Sequence, residues 1–408
     1  MFPIKNFESL LQLNVNKNFK IKDIDWKYLT NPGENFGSLL FAVNVTLQQN
    51  SEIQLLHVIV KLPPPSPYLI KLFNSPFTFK KEIEFYKNVT PTLLQFQREC
   101  GIIHPEDSWP GAKYYGSRMG LTNNNNFDEQ ASIVLENLNY SGYQMIDRLI
   151  GLNRIQTEFA IKKLAGLHAV VIALKIKKPQ IFHDNVMPAL KSAITETVMQ
   201  CIQDMIQKGL KDMESINEIK PYIELVKKSI DMSAKIIETE KRDETWCTLV
   251  HNDFWINNMM FKFNENKQII DMKIVDFQLG AYDYGVKDLV FFLLTSPEND
   301  IIQDIFDDMI HLYYQYFIDT LKTLNINTDN FKRDKLIDLV EYCAPLKLSQ
   351  CIMMAQVVKS KPGTAPKMED IHDKESFLKM TGDEAYYDKL RLIFNIYQKK
   401  NWFLANQN

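Results

Sequence analysis

Two neighbouring stretches leave this chain few ways to fold: Leu249-Val-His-Asn-Asp-Phe-Trp-Ile-Asn-Asn-Met-Met-Phe261 and Ile269-Ile-Asp-Met-Lys-Ile-Val-Asp-Phe-Gln278. The apolar runs 259–263 and 269–275 predict two strands, and Asn264-Glu-Asn-Lys267 predicts the turn between them. A hairpin centred near residue 267 sets Asn258 opposite Asp276 at its open base. An amide oxygen and a carboxylate are hard ligands, and two of them can share a Mg²⁺ whose other positions go to water and phosphate oxygens. Asp253 precedes Asn258 by five residues in the same loop, where it can accept a proton from an attacking hydroxyl. A base beside a metal that neutralises a transferred group is what phosphoryl transfer requires.

These residues carry a resemblance. His-x-Asp-x-x-x-x-Asn followed by Asp-Phe resembles the catalytic-loop and metal-loop pair of the protein-kinase-like fold. The form His-Asn-Asp-Phe-Trp-x-Asn-Asn, with Asp-Phe-Gln in place of Asp-Phe-Gly, is similar to the ecdysteroid-kinase-like (CHK kinase-like) family, which is related to choline kinases and aminoglycoside phosphotransferases. That family usually has Gly where this chain has Asn252, a departure that bears on the loop backbone and removes no chemical group. An isolated His-x-Asp is more often structural than catalytic; the spacing of the whole constellation gives it weight. His251 is expected to brace the loop. The resemblance implies an α+β, two-lobed protein-kinase-like fold, with a small antiparallel sheet in the N-lobe and a mostly helical C-lobe. It also implies ATP and Mg²⁺ as cofactors.

Composition narrows the partners. The 408 residues suffice for two substantial lobes. Lys and Arg (47) nearly balance Asp and Glu (50), so no global basic field points to nucleic acid or an anionic membrane. The five cysteines are scattered, odd in number and without metal spacing, which reads as free thiols in a reducing compartment. The N-terminus lacks the basic and apolar regions of a signal peptide. The longest apolar run, 289–294, is far too short to span a bilayer. A soluble cytoplasmic protein is expected.

In chain order, residues 1–20 form a lead-in, and 24–29, 39–47 and 53–62 predict three strands. Asn31-Pro-Gly-Glu-Asn-Phe-Gly-Ser38 joins the first two. A glycine-bearing turn between strands can fold its N–H groups over phosphates, although this one, with only Gly33 and Gly37, is by itself more often a plain hairpin turn. Its Gly-x-Asn-x-x-Ser matches the resembled family's loop, which implies Gly33, Asn35 and Ser38 near the phosphates. Lys61 follows Val-Ile-Val, where an unpaired charge is costly. It is either exposed at the strand end or paired with phosphate and a glutamate. Ser75-Pro76 predicts an N-cap and first turn, with a helix over 77–88. The family's Phe-x-x-Glu-x-x-x-Tyr implies that Glu82 partners Lys61 and that Glu84 faces solvent. Residues 105–126 read as a surface strand connection. Strand 131–138 resembles the segment that links the lobes, with Glu136 and Leu138 offering backbone groups to adenine. The lobe division is therefore placed at 1–138 and 139–408.

The remainder reads as helical: 143–150, 153–176, 188–211, 221–240, 300–321, 330–343, 349–358 and 386–402. His168 is expected to be a packed core histidine. The methionines at 187, 199, 205, 213 and 232 are expected to be core, although such a stripe also suits an adaptable acceptor pocket. By resemblance, Asp288 braces the catalytic loop; Asp283 is expected at the surface. Residues 359–368 suggest a mobile loop. The chain shows no clear Ala-Pro-Glu segment, which favours a small-molecule acceptor over a peptide. The resemblance suggests phosphoryl transfer to a hydroxyl of an ecdysteroid or a hydroxylated xenobiotic. The alternatives are a choline- or aminoglycoside-type kinase, whose cationic acceptors need acidic or aromatic pockets, and a catalytically silent binding protein.

Overall fold

The computed structural model describes residues 2–11, 19–29, 37–49, 52–122, 126–360, 367–371, 373 and 383–404. Five strands pair antiparallel in the order β1-β2-β3-β5-β4: β1 Lys20–Tyr28, β2 Leu39–Gln49, β3 Glu52–Leu62, β4 Tyr114–Arg118 and β5 Ser132–Glu136. Strand side chains alternate between faces. Val43, Val45 and Leu47 of β2, with Leu56, Val58 and Val60 of β3, therefore share one face, and they pack on Phe7, Leu10 and Leu11 of helix α1 (Phe7–Leu11). Lys61 lies between Val60 and Leu62 and so points to the opposite face.

That face meets α3, Ser75–Glu84. A short helix, α2 (Pro67–Leu72), precedes it, capped by Ser66, a Ser-Pro signal that the sequence reading did not use. The N-cap of α3 is Asn74, at φ 46°, one residue before the expected Ser75. The helix also runs past the expected end at 88. A π-turn, Phe85–Val89, widens it, and it continues as α4, Thr90–Glu99, with Pro91 in its first turn. The Thr90 N–H bonds Phe85 O, so the wide turn absorbs the proline that made the sequence look broken there.

The expected connection 105–126 contains α5, Pro105–Ser108, and β4, the sheet's last strand. The expected helix over 143–150 is instead strand β6, Tyr143–Gln144, followed by turns; β6 pairs with the hairpin strand Met259–Phe263, whose free edge it completes. After it come α6 (Arg154–Lys177), capped reciprocally by Asn153 and Gln156, and α7 (Pro179–Asn185). Helix α8 (Glu196–Glu214) starts at its Thr195 cap rather than at Pro188, and α9 spans Ile223–Thr239.

Strand β7 (Cys247–Val250), β8 (Met259–Phe263), β9 (Ile269–Ile274) and β10 (Ala281–Tyr284) carry the signature residues. Helices α10 (Val286–Thr295) and α11 (Ile302–Thr323) follow. The two helices expected over 330–343 and 349–358 are one, α12, Arg333–Val358, which passes through Pro345. Proline removes one helical hydrogen bond. The carbonyl it frees is that of Glu341, four residues earlier; Ser233 Oγ donates to Pro345 O at 3.0 Å and Tyr397 OH donates to Ala344 O at 2.6 Å, which anchor this turn of the helix to its neighbours. Asp283 is half-buried and pairs with Lys287 at 2.9 Å, which corrects its expected surface position. The expected loop 359–368 lies largely outside the described residues, but Lys359, Ser360 and Met368 at its ends are buried. No helix among the described residues is long and apolar enough to cross a membrane.

Lys389, in the last helix (Glu384–Lys399), is buried and its Nζ has no hydrogen-bond partner among the described residues. Burial, with repulsion from Lys359, pushes its ammonium down to about 7. An unfolded lysine holds its proton to about 10.4. Between these values the unfolded state binds the extra proton, so this residue makes stability rise with pH. Replacing Lys389 with Met should raise stability at pH 7 by roughly 2 kcal/mol. That gain should shrink as pH approaches 10, read as the difference between urea unfolding curves of the two proteins.

Candidate active site

The catalytic-loop candidate leaves β7 at Val250 and is pinned from below. Asp288, at the start of α10, accepts the His251 N–H at 2.6 Å and the Asn252 N–H at 2.8 Å. Burial alone would raise the Asp288 carboxyl, but His168, with His251 and Lys347, outweighs it and holds the group below the usual range. His168 Nε2 stands 3.5 Å from the carboxylate, and its Nδ1 meets Tyr313 OH at 2.8 Å. His251 Nε2 lies 3.0 Å from Val275 O; the carbonyl only accepts, so this nitrogen carries the proton. The histidine thus ties the loop to the end of the hairpin. Phe254 and Trp255 are buried and anchor the loop's far side.

Asn252 adopts φ 63°, the left-handed region where glycine is at ease and asparagine is among the better-tolerated residues. This explains why a glycine position can hold it. Two side chains of α12 grip it: Lys347 Nζ donates to its Oδ1 at 3.2 Å, and Gln350 Nε2 donates to its backbone oxygen at 3.0 Å.

The hairpin register differs by one residue from the expected one. Met259 faces Ile274 and Phe261 faces Met272, but a bulge at Lys262/Phe263 shifts the rest. The Val275 N–H therefore bonds Asn258 O at 3.0 Å, and Asp276 comes one step later. Its backbone turns left-handed there (φ 66°, ψ 64°), which brings its carboxylate to Lys61.

Lys61 Nζ sits 2.6 Å from Glu82, 2.9 Å from Asp276 and 3.5 Å from Gln278 Oε1. Burial opposes the Lys61 charge, but Asp276 and Glu82 outweigh it and hold the ammonium protonated well above the usual range. Asp253 accepts from Asn258 Nδ2 at 2.9 Å, through its Oδ2, and its backbone oxygen accepts from the same amide. Both partners accept only, so the nitrogen of the amide must face them and its Oδ1 is left for another donor or a cation. Burial pushes the Asp253 carboxyl up to about 6, with Asp276 contributing.

The chemistry of this donor set fits Mg²⁺. Glu82 and Asp276 bring two carboxylates to one ammonium, Asp253 stands close enough to Asp276 to be raised by it, and Asn258 Oδ1 and Asp276 are hard oxygens. Among the described residues no group of three His, Cys, Asp or Glu side chains is arranged to hold a metal ion. A Mg²⁺ held by two protein ligands and completed by phosphates and water needs no such group.

The structure thus brings together Lys61, Glu82, Asp253, Asn258 and Asp276. Leu138 is buried beyond β5, and its carbonyl accepts the Tyr143 N–H at 2.9 Å. The Glu136 N–H is taken by Lys113 O at 2.8 Å, and its side chain accepts from Ser141. Ser38 is buried at the start of β2. Gly33 and Asn35 lie outside the described residues. Glu84 is half-buried and accepts from Asn88.

Three contacts were missed by sequence reasoning. Lys81 Nζ, buried, donates to Gly280 O at 2.5 Å and ties α3 to the segment after Asp276. Phe85 stacks on Phe277 with ring centroids 3.7 Å apart, and Tyr86 meets the same ring edge-on, because the π-turn presents both. The third is the Lys347–Gln350 grip on Asn252. Lys347, between Leu346 and Leu348, carries the signal that singled out Lys61; Lys81, between Lys80 and Glu82, does not.

The chain belongs to the ecdysteroid kinase-like family, whose sequence model matches residues 32–326. The sheet-bearing N-terminal part and helical C-terminal part form the two-lobed protein-kinase-like fold of a small-molecule kinase-like family. No curated protein matches the chain in sequence. Among solved structures it is similar in shape to an ethanolamine kinase of Plasmodium vivax (11% identity, 95% of this chain and 87% of that one, TM-score 0.44). A choline kinase of Cryptosporidium parvum (12%, 99% and 94%, 0.45) and a spectinomycin phosphotransferase solved with ADP and spectinomycin (11%, 97% and 100%, 0.46) are similar at the same level.

The left-handed backbone at residue 252 gives a direct check. Both Asn252→Gly and Asn252→Ala remove one acceptor of Lys347, which keeps Gln350 Oε1. Asn252→Ala should be roughly 1 kcal/mol less stable than Asn252→Gly, because only alanine is strained at this backbone angle. Urea midpoints of the two variants measure the difference.

Proposed function

We propose that this chain is an ATP-dependent kinase that moves the γ-phosphoryl group to a hydroxyl of an ecdysteroid or a hydroxylated xenobiotic. One observation carries the kinase reading: Asp253 is held by Asn258, and Asp276 is held by Lys61, which Glu82 grips in turn. Family membership supports the acceptor class.

In this reading residues 1–138 form the N-lobe and 139–408 the C-lobe. Adenine lies against the backbone at Glu136 and Leu138, with the phosphates under Gly33, Asn35 and Ser38. Lys61, fixed by Glu82, draws the phosphate oxygens into place. Asn258 Oδ1 and Asp276 hold Mg²⁺, which when bound neutralises charge on the phosphates. Asp253 accepts the hydrogen bond of the acceptor hydroxyl and takes its proton as the new oxygen–phosphorus bond forms and the bond to the β,γ-bridging oxygen breaks, releasing ADP. A carboxyl raised by burial is better matched to that proton transfer than one at its ordinary value. The five free cysteines support a reducing, cytoplasmic setting.

The test is mass spectrometry after incubation with Mg-ATP and a panel of ecdysteroids, plant phenols and glycosides, choline and an aminoglycoside. An ecdysteroid or phenol should gain one phosphate. Phosphorylated choline or aminoglycoside instead would overturn the acceptor class. No product from a preparation that binds Mg-ATP would favour a silent binding protein. Asp253→Asn should lower turnover by about 10²–10⁴-fold and leave nucleotide affinity unchanged. Wild-type turnover in that variant would remove Asp253 from its role.

A further inference from the structure

On another side of the hairpin is a cavity of about 350 Å³ that shares no residue with the candidate active site. Its wall is formed by Trp109 and Pro110, by Phe159, Gly166 and Leu167 of α6, and by Tyr316 of α11. The volume falls within the range of small-ligand pockets.

Two features set it apart from a packing defect. The first is Gly166. Glycine in the middle of a helix costs roughly 1 kcal/mol relative to alanine, yet one stands halfway along α6. A Cβ built there meets nothing within 4 Å. The residue that would fill the space is missing its side chain, and the cavity stays open.

The second is charge. Lys163 and Lys273 share a single carboxylate, Asp271, at 2.6 and 3.1 Å. Lys273 Nζ also donates to Trp109 O at 2.6 Å, at the cavity wall. Lys162, on the rim, lies 5.1 Å from the Tyr316 ring centroid and has no carboxylate partner among the described residues. Glu158, one turn earlier on α6, is engaged by Arg154 at 2.9 Å. Lys162 is therefore a cation beside an apolar wall that no carboxylate among the described residues neutralises. Trp109 also buries an indole N–H with no hydrogen-bond partner among the described residues.

We propose that this cavity binds a small amphipathic anion, with an apolar ring or short acyl body against Trp109, Leu167 and Tyr316 and one carboxylate at Lys162. The apolar wall suits the body, and the Lys162 ammonium selects an anion over a neutral or cationic ligand of the same shape. A nucleotide, polar along most of its length, does not match such a lining.

Isothermal titration of the full chain with 2-naphthoate, octanoate and the neutral 2-naphthalenemethanol tests this. Naphthoate or octanoate should bind at least about tenfold more tightly than the alcohol; which of the two binds better tells a ring from an acyl chain. Lys162→Met should erase the advantage of the carboxylate. Gly166→Leu should abolish binding of all three, with a thermal midpoint at or above that of the wild type showing that the variant folds. Absence of carboxylate binding at millimolar concentration, equal affinity for acid and alcohol, or binding that survives Gly166→Leu would each overturn the assignment. None of these readouts depends on kinase activity.

Discussion

One buried ammonium group joins three separate parts of this molecule. Lys61 belongs to the sheet, Glu82 to α3, and Asp276 to the end of the catalytic hairpin, more than two hundred residues further on. Placing any one of these charges in the interior alone would be strongly unfavourable. Together they form a mutually dependent triad, and removing a member strands the others. The triad exists only when sheet, helix and hairpin are all in place. Lys81, bonded to Gly280 O, and the Phe85–Phe277 stack fix α3 against the same segment. Position and charge are thereby coupled: α3 cannot shift without exposing or unpairing a buried ion.

The loop beside this triad is held by a different device. Its functional side chains need unusual backbone angles, and two positive-φ residues, Asn252 and Asp276, bracket it. Such angles persist when surrounding contacts over-determine them. Asp288 takes two successive N–H groups, His251 reaches Val275 O, and α12 grips Asn252 from the other side. The result is a carboxylate at Asp253 whose orientation is set by Asn258 before any ligand arrives. Preorganisation of this kind is the main contribution a protein can make to phosphoryl transfer, where there is little covalent chemistry to supply.

Much of this was legible in the sequence because the signals are local. The hairpin showed in two apolar runs and a turn, the Lys61–Glu82 pair in a charge set within an apolar strand and in a helix motif, and α6 in its period. What was not legible depends on tertiary contacts. Pro91 and Pro345 are strong local stop signals, yet the π-turn at 85–89 and the bonds from Ser233 and Tyr397 carry the helices past them. Residues 143–144 became strand because β8 offered an edge, which no property of Tyr143 announces. The hairpin register slipped by one because a bulge leaves no mark in composition. The grip of Lys347 on Asn252 spans 95 residues and could be found only in three dimensions.

The hairpin also separates charge. Asp271 and Asp276 lie five residues apart along one strand and its exit. Asp271 is outnumbered by Lys163 and Lys273, whereas Asp276 shares Lys61 with Glu82. One strand thus leads from a site with surplus positive charge to one with surplus negative charge. The negative end needs a cation to approach neutrality, and the positive end needs an anion. The Trp109–Pro110 segment lies between them, with Pro110 O bonded to the Ile274 N–H at 2.5 Å, two residues before Asp276. A ligand resting on Trp109 would press on a segment hydrogen-bonded to the strand that positions the metal-loop aspartate.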